Sequence, residues 1–200
     1  MTESAASGIT FVAATGLEAR ALRREMPAAR VVLAGIALER LDEELGDVVV
    51  SCGLAGGLQR GLATGTLLVP REVLRPTGDL LRCDPELAEL FVRRARSCGI
   101  AAVRDPLLTA AEIVTGDSRA QWAARGYAGV DMESGLIRAP RVAVVRVVLD
   151  TPERELSPEW RTPLAAMLKP WNWSQAFWLA REAPRAAALA ARIAAAAQTA

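Results

Sequence analysis

The feature that most limits the fold is the stretch RVAVVRVVL at residues 141–149, a largely β-branched run that stops at Asp150. A strand with one wet face alternates polar and apolar residues; this one does not, so both of its faces must be covered. Further apolar runs at residues 9–14, 30–34, 47–51, 65–74, 103–110 and 127–131 read as strands. Helical stretches lie between several of them. Residues 17–26 follow Thr15-Gly16 and end before Pro27, residues 85–97 open on proline and are followed by Gly99, and a polar loop from Thr115 to Ser118 precedes a helix through Arg125. Residues 37–45 read as a short amphipathic segment, 76–84 as a polar connection and 132–139 as a short helix. This alternation predicts an α/β single domain over residues 1–200, a three-layer fold whose mainly parallel, mixed central sheet is flanked by helices.

In open sheets of this kind, ligands collect beyond the carboxyl ends of the strands. Three acids sit there. Glu18 opens the first helix, Glu133 follows residues 127–131, and Asp150 closes the run at 141–149. Each also has a plainer use: the helix dipole favours a first-turn carboxylate, and an aspartate before Thr-Pro starts a turn. Gly53, Gly56 and Gly57 in SCGLAGGL let backbone approach a ligand closely. Their spacing is neither GxGxxG nor a Walker loop, so no dinucleotide or ATP site is read from them.

Composition removes several function classes. With 24 Lys and Arg against 23 Asp and Glu, and no basic run interleaved with aromatics, nucleic acid is not an expected partner. The chain has no histidine, which excludes Ser-His-Asp and Cys-His hydrolases and leaves proton transfer to carboxylates. Cys52, Cys83 and Cys98 are odd in number and lack CxxC spacing, so neither a disulfide framework nor a zinc site is expected, and metal ligands are not assigned. The run at residues 9–14 is too short for a signal core and no stretch reaches ~18 apolar residues, which predicts a cytoplasmic protein.

The tail differs in composition. Trp160, Trp171, Trp173 and Trp178 fall within nineteen residues, and an alanine-rich helix is predicted over residues 184–197. Trp173, Phe177 and Ala180 share a helical face whose expected use is docking the terminal helix onto the sheet. With Lys169 and Arg181, the same aromatics offer an alternative use, seating an apolar ligand or touching a membrane interface.

Taken in order, Glu18 in ATGLEARAL, the loop SCGLAGGLQRGLATGTLLVP, and VDMES followed by RVVLD resemble the purine nucleoside phosphorylase and methylthioadenosine/adenosylhomocysteine nucleosidase superfamily. The resemblance spans residues 9–150. The AGGL loop, the DMES form and the length of the tail are most similar to the hopanoid-associated phosphorylases, bacterial proteins assigned to removal of adenine from adenosylhopane. The resemblance implies a nucleoside phosphorylase-like fold and cleavage of an N-glycosidic bond. Asp150 matches the general acid at purine N7, Glu133 the acceptor of both ribose hydroxyls, Met132 the side chain against the ribose, and Glu18 the carboxylate that activates water. Gly53, Ala55, Gly56 and Gly57 would line the sugar or phosphate side, while Ser118 and Arg119 belong to the wall near the base.

Several departures qualify the match. Leu149 stands where the family has a serine before the acid, and the helix after Glu133 is short and broken by Pro140. The aromatic that stacks on the base is missing near residues 115–120, leaving Arg119 or Trp122 to substitute. An early Gly-Asp-Pro and Arg segment is also missing, which favours water over phosphate, although phosphate stays open as a co-substrate; no cofactor is implied. The implied partners are a small adenosyl substrate, lipid-linked in the hopanoid reading, and further copies of the chain in a homodimer or larger assembly. Three alternatives stand beside this one: a non-catalytic nucleoside-binding module, a nucleosidase for small 5′-substituted adenosines, and a nucleotide-binding α/β domain of another type.

Overall fold

The computed structural model describes residues 8–161, 169 and 172–199. Its ten-stranded sheet is built around one long strand, β3 (Val48–Gly57), which serves two sets of neighbours. Along most of its length β3 lies parallel to β10 (Arg141–Val148), and its other edge carries β1 (Thr10–Ala13) and then β2 (Arg30–Leu33), both parallel. Beyond β10 come β4 (Leu67–Leu68), antiparallel, and β7 (Ala102–Val103), parallel to β4. At the carboxyl end of β3, Gly56 and Gly57 pair antiparallel with β9 (Gly129–Asp131). From there the sheet continues through β8 (Leu107–Thr109) and β5 (Glu72–Leu74), both parallel, to β6 (Leu80–Arg82), antiparallel.

Both faces of β10 are buried, as its composition requires. Ala143, Val145 and Val147 enter a core with Phe11, Leu22, Phe91 and Ile193, whereas Val142, Val144 and Val148 enter a second one with Val12, Val49 and Ile137. Helices α1 (Gly16–Glu25), α2 (Pro85–Ser97) and α4 (Trp173–Ala194) supply the first core, and α3 (Gly116–Ala124) belongs to a smaller cluster near Leu58 and Val130.

Prolines and side chains redraw some predicted elements. The runs at 65–74 and 103–110 each divide into two strands, around Pro70 and Pro106, because proline brings no N–H to a ladder. Residues 76–84 contain β6, paired to β5 as a hairpin. Residues 37–45 hold only the end of a 3₁₀ turn, Ile36–Leu38, and residues 132–139 only the 3₁₀ turn Ser134–Leu136. In the second case the N–H groups of Ser134 and Gly135 go to the side chains of Asp131 and Thr109, so no longer helix forms.

The terminal helix corrects the tail reading. α4 begins at Trp173, well before the predicted 184, and packs through Ala186, Ala187, Ala190, Ala191, Ile193 and Ala194. Trp173 and Phe177 do not dock on the sheet; they are 56% and 78% exposed, and Trp171 lies outside the described residues. Alanines dock here because their small side chains let the helix lie close to α1 and the sheet. Among the described residues, no helix is long and apolar enough to cross a membrane. Overpacking this contact with Ala190→Leu should cost about 1–3 kcal/mol, read as a fall in Tm of roughly 3–10 °C in a circular dichroism melt. Phe177→Ser, on the exposed face, should stay within about 0.5 kcal/mol of the parent.

Candidate active site

At the carboxyl ends of β1, β3, β9 and β10 lies a cavity of about 220 Å³, walled by Thr15, Glu18, Ala55, Gly56, Met132, Glu133 and Asp150 among others. A larger hollow of about 720 Å³ lies at the opposite ends of the strands, near Val48 and Arg141, and gathers no such set of buried acids.

Glu18 reaches the cavity because of how α1 starts. Thr15 is the N-cap, Glu18 stands three residues on, and the two form a capping box in which Glu18 Oε2 accepts from the Thr15 N–H and hydroxyl at 2.8 Å each. The other oxygen, Oε1, accepts from the Leu54 N–H of β3 at 2.8 Å. The dipole-favoured carboxylate and the site carboxylate are therefore the same group.

Glu133 is held from three sides. Its oxygens accept from the N–H groups of Ala37 and Met132, and Oε2 lies 3.5 Å from Arg146 Nη2. Burial pushes its carboxyl up to about 7; Asp131 and Glu18 add to the rise, while Arg146 opposes it. Arg146, in the middle of β10, is 1% exposed and gives Nη2 to Asp131 at 2.8 Å, to Ser51 Oγ at 2.8 Å and to Ser134 Oγ at 3.1 Å. Its buried Nε and Nη1 have no hydrogen-bond partner.

Gly53 explains how these charges fit together. A Cβ at residue 53 would lie 2.2 Å from Glu18 Oε1 and 2.6 Å from Arg146 Nη1, so any side chain there would displace both. Gly57 stands at the end of β3, donating its N–H to the Asp150 carbonyl at 2.8 Å.

On the opposite side of the cavity Asp150 Oδ2 accepts from Arg119 Nη2 at 2.6 Å, an ion pair with both side chains buried. Arg119 also donates to the carbonyls of Gly57, at 2.8 Å, and Val114, at 3.0 Å. Burial raises the Asp150 pKa, against the pull of Arg119.

The other residues singled out in the sequence divide. Met132, Ala55 and Gly56 line the cavity, but Ser118 lies exposed on α3 and away from it. Arg119 lines the cavity without being free to stack, since its guanidinium is spent on Asp150, Gly57 and Val114. Trp122 does not replace it; it packs edge-on against Tyr127 at 5.3 Å, outside the lining residues. The structure adds Arg146, Asp131 and Ser51 to the residues around the site. One signal was available for Arg146: an arginine inside a strand buried on both faces must find counter-charges inside the protein.

No family model matches the chain, and no curated protein matches it. Solved structures do. A 5′-methylthioadenosine/S-adenosylhomocysteine nucleosidase from Neisseria meningitidis, in complex with methylthio-immucillin-A, matches with a TM-score of 0.72 at 18% identity, covering 97% of this chain and 100% of that one. A futalosine hydrolase mutant of Helicobacter pylori matches at 0.72 and 12% identity, with the same coverage. An S-adenosylhomocysteine nucleosidase from Streptococcus pyogenes, in complex with 5-methylthiotubericidin, gives 0.70 at 15% identity over 98% of this chain and 97% of that one. The chain has their fold. The resemblance read from its motifs and this nucleosidase fold agree at the level of architecture.

Two measurements test the site within this nucleosidase fold. Gly53→Ala should disrupt the Glu18 and Arg146 positions and lower stability by about 1–3 kcal/mol, seen in urea melts. For Glu133, the folded pKa of about 7 lies above its ordinary value of 4.5, so the neutral form suits the fold and stability is lost as pH rises from near 4.5 through 7. The Tm of Glu133→Gln minus that of the parent should therefore climb across that window, and a constant difference would contradict the raised pKa.

Proposed function

We propose that the protein hydrolyses the N-glycosidic bond of an adenosyl compound and releases adenine. The observation carrying this is the placement of Glu18, Glu133 and Asp150 around one cavity, each held by a different partner. As the C1′–N9 bond breaks, its electrons pass to the purine and positive charge grows on the ribose. Asp150, desolvated beside the cavity, would put its proton on N7. Glu133 would accept the ribose hydroxyls, with Met132 against the sugar. Glu18 would take a proton from the attacking water, whose oxygen bonds to C1′.

Charge supports water over phosphate as acceptor. Glu18, Asp131, Glu133 and Asp150 bring carboxylates to this region against the guanidiniums of Arg119 and Arg146, which already face them. Glu18 also occupies the Leu54 N–H that an anion would need.

The cavity's size supports a nucleoside with a small 5′ group, because 220 Å³ lies below the usual span of about 300–1,000 Å³ for ligand pockets. A longer apolar substituent, as in adenosylhopane, would leave past Ile36, Ile113, Leu156 and Trp160. Trp160 donates to Gln175 of α4 at 2.7 Å, on the helix that exposes Trp173 and Phe177. These aromatics are what support an adenosyl lipid as substrate and contact with a membrane surface. Adenine release should be measured from methylthioadenosine, adenosine and a long-chain 5′-alkylthioadenosine, each with and without phosphate.

Adenine should appear without phosphate, and Asp150→Asn should lower kcat/KM about 10²-fold or more. Full activity in Asp150→Asn would remove the acid from this role. A strict need for phosphate, with ribose phosphate formed, would replace hydrolysis by phosphorolysis.

A further inference from the structure

We propose that Arg119 is the positioning residue that selects which oxygen of Asp150 carries the transferable proton. This rests on the preceding reading of Asp150 as the proton donor. Arg119 Nη2 donates to Oδ2 at 2.6 Å, so Oδ2 is committed as an acceptor, with the backbone N–H groups of Leu156 and of Asp150 itself as weaker donors to the same carboxyl. Oδ1 lies at the cavity wall over Gly56, where a Cβ would come within 3.0 Å of it. A proton on Asp150 therefore resides on Oδ1, beside the space open to a purine.

The arginine cannot easily turn away. Arg119 Nη1 donates to the Gly57 carbonyl at 2.8 Å and the Gly57 N–H donates to the Asp150 carbonyl at 2.8 Å, which closes a ring of three residues. Val114 accepts from Nη2 and Nε on the other side. The residue before the acid, Leu149, brings no hydroxyl to do this work. As Oδ1 gives its proton to the base, negative charge grows on the carboxylate, and the buried guanidinium stabilises it where it forms.

The charges facing this pair are few and placed unevenly. Glu155 lies 3.5 Å from Arg119 Nε and also accepts from the Gly116 N–H at the start of α3. Glu112 is on the cavity wall, and Glu18, Asp131, Glu133 and Arg146 form the group across the cavity. Arg119 is the cation in ion-pair contact with Asp150.

The test compares Arg119→Met and Arg119→Lys with the parent, using adenine release from methylthioadenosine across pH, thermal melts, and ¹³C NMR titration of the Asp150 carboxyl, assigned by its loss in Asp150→Asn. Removing the cation favours the protonated acid. In Arg119→Met the Asp150 midpoint and the alkaline limb of kcat/KM should both rise by about one unit or more, while kcat falls on the order of 10²-fold with little change in KM. Arg119→Lys should keep the limb near its parental pH but not the rate, because an ammonium cannot span Gly57 and Asp150 as a planar fork does. An Asp150 midpoint equal in parent and Arg119→Met overturns the inference, and this readout needs no turnover. So does a loss of kcat that only follows Tm with the alkaline limb unmoved. Parental activity in Asp150→Asn would instead strike the donor role itself, and the proton selection with it.

Discussion

The parallel ladder between β3 and β10 pairs Val48 through Ala55 with Arg141 through Val148, and the site depends on its register. That register sets Arg146 beside Gly53, the one place along the pair where a missing side chain leaves room for a guanidinium and for Glu18. It also carries Asp150 past the end of β10 to Gly57, whose N–H holds its carbonyl. Because strand side chains alternate between faces, a slip of one residue would send Arg146 to the opposite side of the sheet, away from Asp131 and Glu133. The ladder is buried on both sides, and that burial is what holds the register.

Two buried arginines then hold the acids around the cavity in two groups. Arg146 gathers Asp131, Glu133, Ser51 and Ser134, with Glu18 close by, while Arg119 gathers Asp150 and two backbone carbonyls. Taking a guanidinium out of water costs several kcal/mol, and its counter-charges return only part of that unless the remaining hydrogen bonds are made. Arg146 leaves Nε and Nη1 unpaired, which an apolar residue of similar size would avoid. The fold accepts that cost where Arg146 neutralises the buried carboxylates of Asp131 and Glu133.

The C-terminal helix shows a similar division along its length. Its alanine face packs into the main core, whereas its first turns expose Trp173 and Phe177 and use Gln175 to bind Ser157 and Trp160, next to the cavity wall. Packing into the core and contact with the segment at the cavity wall thus fall to different turns of one helix.

The features legible in the sequence are those decided by residues close together along the chain. The bounds of α2 follow from Pro85 and Gly99, Glu18 stands in the first turn of the helix that follows Thr15-Gly16, and the two-sided burial of β10 is written in its composition. The three acids could be placed at strand ends for the same reason. Their partners could not. Asp150 meets Arg119 across thirty-one positions, Glu18 meets Leu54 across thirty-six, and Arg146 meets Ser51 across ninety-five, pairings that arise only when strands take a register and helices cross them. The sequence by itself determined the bounds of α1 and α2, the two-sided burial of β10 and where the acids stand, because proline, glycine and periodicity act locally, whereas β6 and the 3₁₀ turns at Ile36–Leu38 and Ser134–Leu136 came from contacts outside their own segments. Tertiary structure alone decided which acid faces which arginine, because a buried charge is matched by whatever the packed strands bring within reach.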